Sequence, residues 1–106
     1  MVVETLEQEP RARRLTRVFK ALGDETRMAI FQLLRECCRK ECAVSEAGAE
    51  RTVSEIAQEF GLALSTVSHH LKELRHAGLV LCSKQGKKVH CRINTALLRE
   101  LEEFMR

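Results

Sequence analysis

Cysteine is the side chain with the most chemistry to offer in this chain, at five in 106 residues. Cys37, Cys38 and Cys42 lie within six residues of one another. Cys38 and Cys42 stand one turn apart if a helix runs through them, and Cys37 is adjacent, so a small local rearrangement could aim three sulfurs at one centre. Soft thiolates select soft acceptors: trivalent arsenic or antimony, zinc, or copper(I). Three sulfurs satisfy a pyramidal metalloid such as As(III) or Sb(III). Zinc would seek a fourth ligand, which the nearby sequence supplies only as Glu36, Glu41 or Glu46. Neighbouring thiols also suit reversible oxidation or persulfidation. The plainer alternative is packing, because Cys37 and Cys38 continue the apolar run of Leu33 and Leu34, and unligated cysteine is among the most buried residue types. Cys82 and Cys91 would face each other if Gly86 and Lys87 form a two-residue turn, and a slip of one residue would separate them.

Of the four histidines, His69, His70 and His76 fall inside one organised stretch, residues 52 to 80, and His90 lies beyond it. Thr52 and Glu55 have capping-box spacing, and Val53, Ile56, Ala57 and Phe60 give the helix they open one apolar stripe. Gly61 follows, where a residue without a β-carbon can end a helix in the left-handed conformation. A second helix, about Ser65 to Ala77, carries Val67, Leu71 and Leu74 on one side and Ser65, His69, Lys72 and His76 on the other. Hydroxyls, imidazoles and a lysine on an outward helix face suit a DNA major groove, where they can pair with base edges and phosphates. The pattern predicts a helix-turn-helix, with Ser65, Thr66, Ser68, His69 and His70 toward the DNA and Lys72 on phosphate.

The surrounding elements must hold this pair in place. The length suits one domain, and a formal charge of +3 requires any DNA affinity to come from local basic patches. No apolar run is long enough to cross a bilayer, and the acidic start with Glu4, Glu7 and Glu9 lacks a basic leader, so a cytoplasmic protein with reduced thiols is expected. Residues 1–9 are expected to be a flexible segment and residues 10–106 a single winged helix-turn-helix domain. Pro10 can open a first helix with Leu15, Val18, Phe19 and Leu22 on its stripe. Gly23 ends it, and Asp24 can cap a second helix whose wide stripe runs from Met28 through Ile30, Phe31, Leu33 and Leu34 to Cys37 and Cys38. Residues 39 to 51 read as a loop with a frayed helical start. After the helix-turn-helix, Leu79 to Cys82 and Val89 to Ile93 read as two strands of a wing carrying Lys84, Lys87 and Lys88 toward DNA phosphates. Asn94 or Thr95 can cap a last helix bearing Leu97, Leu98, Leu101, Phe104 and Met105. The chain should thus be mainly α, about five helices with a small β-hairpin. Its two terminal helices carry wide apolar stripes that a homodimer would cover. A Cys-x-x-Cys motif, a glycine-rich phosphate loop and a His-Glu zinc motif are all absent, which argues against an enzyme. A winged helix that binds a protein partner instead of DNA is the other alternative.

The order of elements, the segment ALGDETRMAIFQLL at 21–34, the segment STVSHHLKELRHAGLV at 65–80 and the wing with Gly86-Lys87 closely resemble the ArsR/SmtB family of winged-helix repressors. The resemblance spans roughly residues 13–106. It implies a dimeric repressor on double-stranded operator DNA, released by an effector that is often a metal or metalloid. It also marks Asp24 and Arg27, and Ser68, His70 and Leu71, as signature positions. Two features depart from it. Ala63 stands where many members have a capping Ser or Asn. The Cys-x-Cys of the helix before the turn and the Asp and His of the last helix, both effector sites in the family, are missing here. The resemblance therefore assigns no effector site, and Cys37, Cys38 and Cys42 become the candidates.

Overall fold

The computed structural model describes residues 10–41 and 50–106. The expected flexible segment at 1–9, most of the 39–51 connection and Cys42 lie outside those residues. Among the described residues, five helices and a small antiparallel sheet make a winged helix-turn-helix.

Helix α1 is Arg11–Leu22, one residue later than Pro10, whose carbonyl accepts from the Arg13 and Arg14 amides at 3.0 and 3.2 Å. It buries Leu15, Val18 and Ala21, while Phe19 stays 44% exposed. Helix α2 is Glu25–Glu41, so residues 39–41 are the helical start expected of the 39–51 connection. Asp24 caps it, with Oδ2 accepting from the Arg27 amide at 3.0 Å. Arg27 in turn donates from Nε to the Ala21 carbonyl at 2.7 Å, locking the corner between α1 and α2 from both sides. The amide of Arg27 is also the main cause holding the Asp24 carboxyl below its ordinary range. Ile30, Phe31, Leu34 and Cys37 are buried, but Met28 is exposed, so the stripe of α2 is narrower than its composition suggests.

Arg51–Thr52 forms β1, a two-residue strand too short to show any alternation. Helix α3, Val53–Phe60, follows at once. Its capping box is complete: Thr52 Oγ1 accepts from the Glu55 amide at 3.1 Å, and the Thr52 amide donates to Glu55 Oε1 at 2.8 Å. Thr52 is itself buried. Thr52→Ala should therefore destabilise the fold by about 1 kcal/mol, up to about 2. The Thr52 amide is also the largest cause of a depressed Glu55 pKa. A carboxylate depressed in the folded state stabilises above its unfolded pKa and loses that contribution as pH falls through the folded value. Urea melts at neutral pH and below pH ~4 should show the gap between wild type and Glu55→Ala closing in acid. A gap that persists there would contradict a carboxylate-dependent cap.

Gly61 takes φ 63° and ends α3, with Leu62 donating back to the Ala57 carbonyl at 3.0 Å. Helix α4, Leu64–His76, begins at Ala63 with no side-chain cap and buries Val67, Leu71 and Leu74. Strands β2, Val80–Gln85, and β3, Lys88–Ile93, join through Gly86-Lys87, with Gly86 at φ 65°. The sheet order is β1-β3-β2, so the wing is three-stranded at its root, not two-stranded as expected. Helix α5, Thr95–Met105, is capped by Asn94, whose Oδ1 accepts from the Leu97 amide at 3.4 Å and whose Nδ2 donates to the Gly78 carbonyl at 2.8 Å. Leu97, Leu98 and Leu101 pack partly buried on the common core. Phe104 and Met105 are 49% and 67% exposed. Among the described residues no helix is long and apolar enough to cross a membrane.

Candidate nucleic-acid interface

The outward face of α4 is built by its inward one. Val67, Leu71 and Leu74 are buried against the core. At 100° per residue, that anchoring turns Ser65, Thr66, Ser68, His69 and Lys72 into solvent, where all five are exposed. Short hydroxyls near the helix start and a basic residue one turn later form a surface able to accept from and donate to base edges and to neutralise a phosphate.

His70 does not join them. Its side chain is only 16% exposed, and Nδ1 lies 3.8 Å from Asp24 Oδ2. The residue falls three after Val67 and four before Leu74, on the flank of the packed face, so helical spacing turns it toward the start of α2. Nδ1 is buried and has no hydrogen-bond partner among the described residues. His70 thus lies against the corner that Asp24 and Arg27 lock. That placement was missed in the sequence because the neighbouring His69 is exposed, although the spacing from Val67 and Leu74 carried the signal.

The wing adds a second basic surface. Lys84, Lys87 and Lys88 are all exposed; Lys87 lies in the turn at the tip and Lys88 follows it. Arg92 is half-buried lower on β3.

The thiols fall into two places. Cys37 is buried and Cys38 half-buried near the end of α2. Adjacent residues on a helix diverge by about 100°, so both sulfurs reach one centre only if the last turn of α2 rearranges. Among the described residues no group of three or more His, Cys, Asp or Glu side chains is placed to hold a metal ion. Cys82 and Cys91 are directly opposite in the β2–β3 register, as the two-residue turn requires, with sulfurs 3.3 Å apart. The Cys91 thiol hydrogen-bonding to it brings Cys82 down to about 7 against the opposing effect of burial, and the charge of Arg75 helps. The same hydrogen bond, together with burial, pushes Cys91 up.

Comparison with known proteins places this geometry. The family described as "Helix-turn-helix domain" matches residues 22–82. The arsenical resistance operon repressor of Escherichia coli is 39% identical over 73% of this chain and 56% of its own length, so the chain spans little more than half of that relative. The transcriptional repressor SdpR of Bacillus subtilis is 29% identical over 86% of this chain and 88% of its own. A solution structure of a homodimeric winged helix-turn-helix DNA-binding domain from Mycobacterium bovis, described as a possible ArsR-family regulator, superposes with a TM-score of 0.64 at 31% identity, covering 89% of this chain and 79% of that one. The chain therefore belongs to the ArsR family of winged helix-turn-helix DNA-binding transcriptional repressors, which are not enzymes.

Proposed function

We propose that this repressor binds its operator as a homodimer and leaves it when a thiophilic effector, As(III) or Sb(III) in preference to zinc, engages Cys37, Cys38 and Cys42. The observation that carries DNA recognition is the division of α4 into a buried face and an exposed one of Ser65, Thr66, Ser68, His69 and Lys72, beside a wing whose lysines are all exposed. The hydroxyls and His69 serve base edges; Lys72, Lys84, Lys87 and Lys88 serve phosphates.

Replacing Lys87 and Lys88 with Ala should weaken binding to every duplex alike and flatten the dependence of log K on log salt by up to about one unit per lost contact. Fluorescence anisotropy over a salt series on operator and scrambled DNA reads both. Unchanged affinity in the double variant would remove the wing from the interface. A steep salt dependence that survives only for Lys72-containing protein would assign the phosphates to α4 instead. Binding to a protein partner rather than DNA predicts no counterion-release slope at all.

The dimer is supported by apolar surface left on neighbouring helices. Arg14 of α1 forms an ion pair with Glu100 of α5, and Arg11 lies 5.6 Å from the centre of the Phe104 ring, so these helices sit side by side. Phe19, Phe104 and Met105 remain exposed on them. The Mycobacterium bovis relative is described as homodimeric.

For the effector, the chemistry of the donors decides. A spacing of four would put Cys38 and Cys42 on one face of a helix that continued through them, and a small local rearrangement would bring Cys37 to the same centre. Three sulfurs complete a trigonal metalloid, and the E. coli relative is named for arsenical resistance.

A further inference from the structure

The thiols at the root of the wing belong to no part of the proposed effector site. We propose that Cys82 and Cys91 are a reversible disulfide site, formed when a hydroperoxide oxidises the wing.

The strand register carries this. Gly86-Lys87 makes Gln85 and Lys88 the closing pair of the hairpin, and the pairs alternate from there, so Cys82 and Cys91 form a non-hydrogen-bonded pair. The Asn94 amide donates to the Leu79 carbonyl at 2.9 Å, which fixes the same alternation from the other end. In such pairs the Cα atoms approach to about 4.5 Å and the side chains lean together, inside the span of about 4.4–6.8 Å that a disulfide bridges. The sulfurs are already 3.3 Å apart. No strand shift is needed to join them.

The two cysteines are also unequal in the way the reaction requires. Cys82 is half-buried and reachable, whereas Cys91 is fully buried behind it. A Cys82 pKa of about 7 gives it substantial thiolate character near neutrality. The Cys82 thiolate attacks one oxygen of the hydroperoxide, breaking the O–O bond; the departing alkoxide takes a proton and leaves as the alcohol, or as water from hydrogen peroxide. Cys82 is then a sulfenic acid. The Cys91 sulfur attacks Cys82 Sγ, the S–O bond breaks, and the departing hydroxide leaves as water with the Cys91 proton. Two thiols and one hydroperoxide become one disulfide, one alcohol and one water, each sulfur giving up one electron to the peroxide bond. A metal-ion site is less well served, because among the described residues no third ligating side chain joins this pair.

Trypsin should place Cys82 in the fragment 76–84 and Cys91 in the fragment 89–92. The full-length protein is treated with hydrogen peroxide, alkylated, digested without reductant and analysed by mass spectrometry. The expected product is these two fragments joined, in most molecules, and separated again by dithiothreitol. Cys82→Ser and Cys82→Ala, each confirmed folded by circular dichroism, should slow peroxide-driven modification of Cys91 by about tenfold or more, because the buried thiol then lacks its reachable partner. The proposal is overturned if Cys82 proceeds to sulfinic acid without linkage, if either cysteine joins Cys37, Cys38 or Cys42 instead, or if Cys91 reacts as fast in both Cys82 variants as in wild type. Repeating the digest on Cys42→Ser keeps the two sites apart. The wing linkage should form there undiminished, whatever becomes of metalloid-driven release.

Discussion

Phe19→Glu should turn the protein into a monomer at micromolar concentration while leaving the winged helix folded. Phe19 is 44% exposed on α1, so much of its ring is left open to a second protomer. If α1 and α5 meet their counterparts across a two-fold axis, the substitution places a charge in the seam twice and strands it without a partner, at a cost of several kcal/mol. Leu101 would be a poorer probe, because it packs partly buried on the protein's own core and its loss would mix folding with assembly. Phe104→Lys repeats the test from α5 and brings a second cation beside Arg11, which lies over that ring. Sedimentation velocity reads the mass, and thermal unfolding shows whether the monomer is folded. A folded Phe19→Glu protein that still sediments as a dimer moves the interface off these helices. Operator affinity should fall with assembly, since one protomer reaches only one half-site.

Cys42→Ser should abolish arsenite-driven release while leaving operator binding without arsenite intact. Cys37 and Cys38 alone diverge around α2, so the third sulfur is what turns two misaligned thiols into a trigonal set. In the proposed site, drawing that sulfur toward the end of α2 would reshape the connection that leads to β1 and Thr52. Thr52 is the cap of α3, so a displacement there would move α3 and α4 relative to the other protomer of the proposed dimer. A coupling of about 1–3 kcal/mol, or about 5–150-fold in affinity, suffices for regulation. Anisotropy on operator DNA with arsenite under strict reduction gives the release. The number of arsenic atoms bound per chain, read by native mass spectrometry, gives the site directly. Full release and full stoichiometry in Cys42→Ser would eliminate the three-thiolate site.

The sequence made the helical part of this fold legible wherever a local rule sufficed. The Thr52–Glu55 box, the left-handed Gly61, the Asp24 cap and the two-residue wing turn are each decided by neighbours within four positions, and the structure has all of them. What escaped was decided at a distance. The strand β1 exists because Arg51 and Thr52 meet Cys91 and His90 across the sheet, and two residues carry no periodicity of their own. His70 was expected on the DNA face, yet its neighbour is Asp24, 46 positions away in sequence. Cys82 and Cys91 were conditional on a register that only the hairpin turn could fix. For the DNA face, residue type and spacing named the exposed set apart from His70. For the effector, Cys37 and Cys38 were read on the stripe of α2, where the structure has them, and Cys42 lies outside the described residues.

Asn94 closes α4 off from α5 with one amide group, its Nδ2 on the Gly78 carbonyl and its Oδ1 on the Leu97 amide. Just past α4 the chain turns at Gly78, where φ is 85° and a β-carbon would stand 3.4 Å from Leu97 Cδ2. The helix proposed to meet the groove and the helix proposed to stand at the two-fold axis are therefore joined through one side chain. In the proposed dimer two such clasps in series would help to set the distance between paired heads, and operator half-sites would have to recur about 34–36 Å apart to match. A protein built this way would act as a ruler for its DNA: inserting a single base pair between half-sites would rotate one of them about the duplex axis, and the clasp at Asn94 would resist the heads following it.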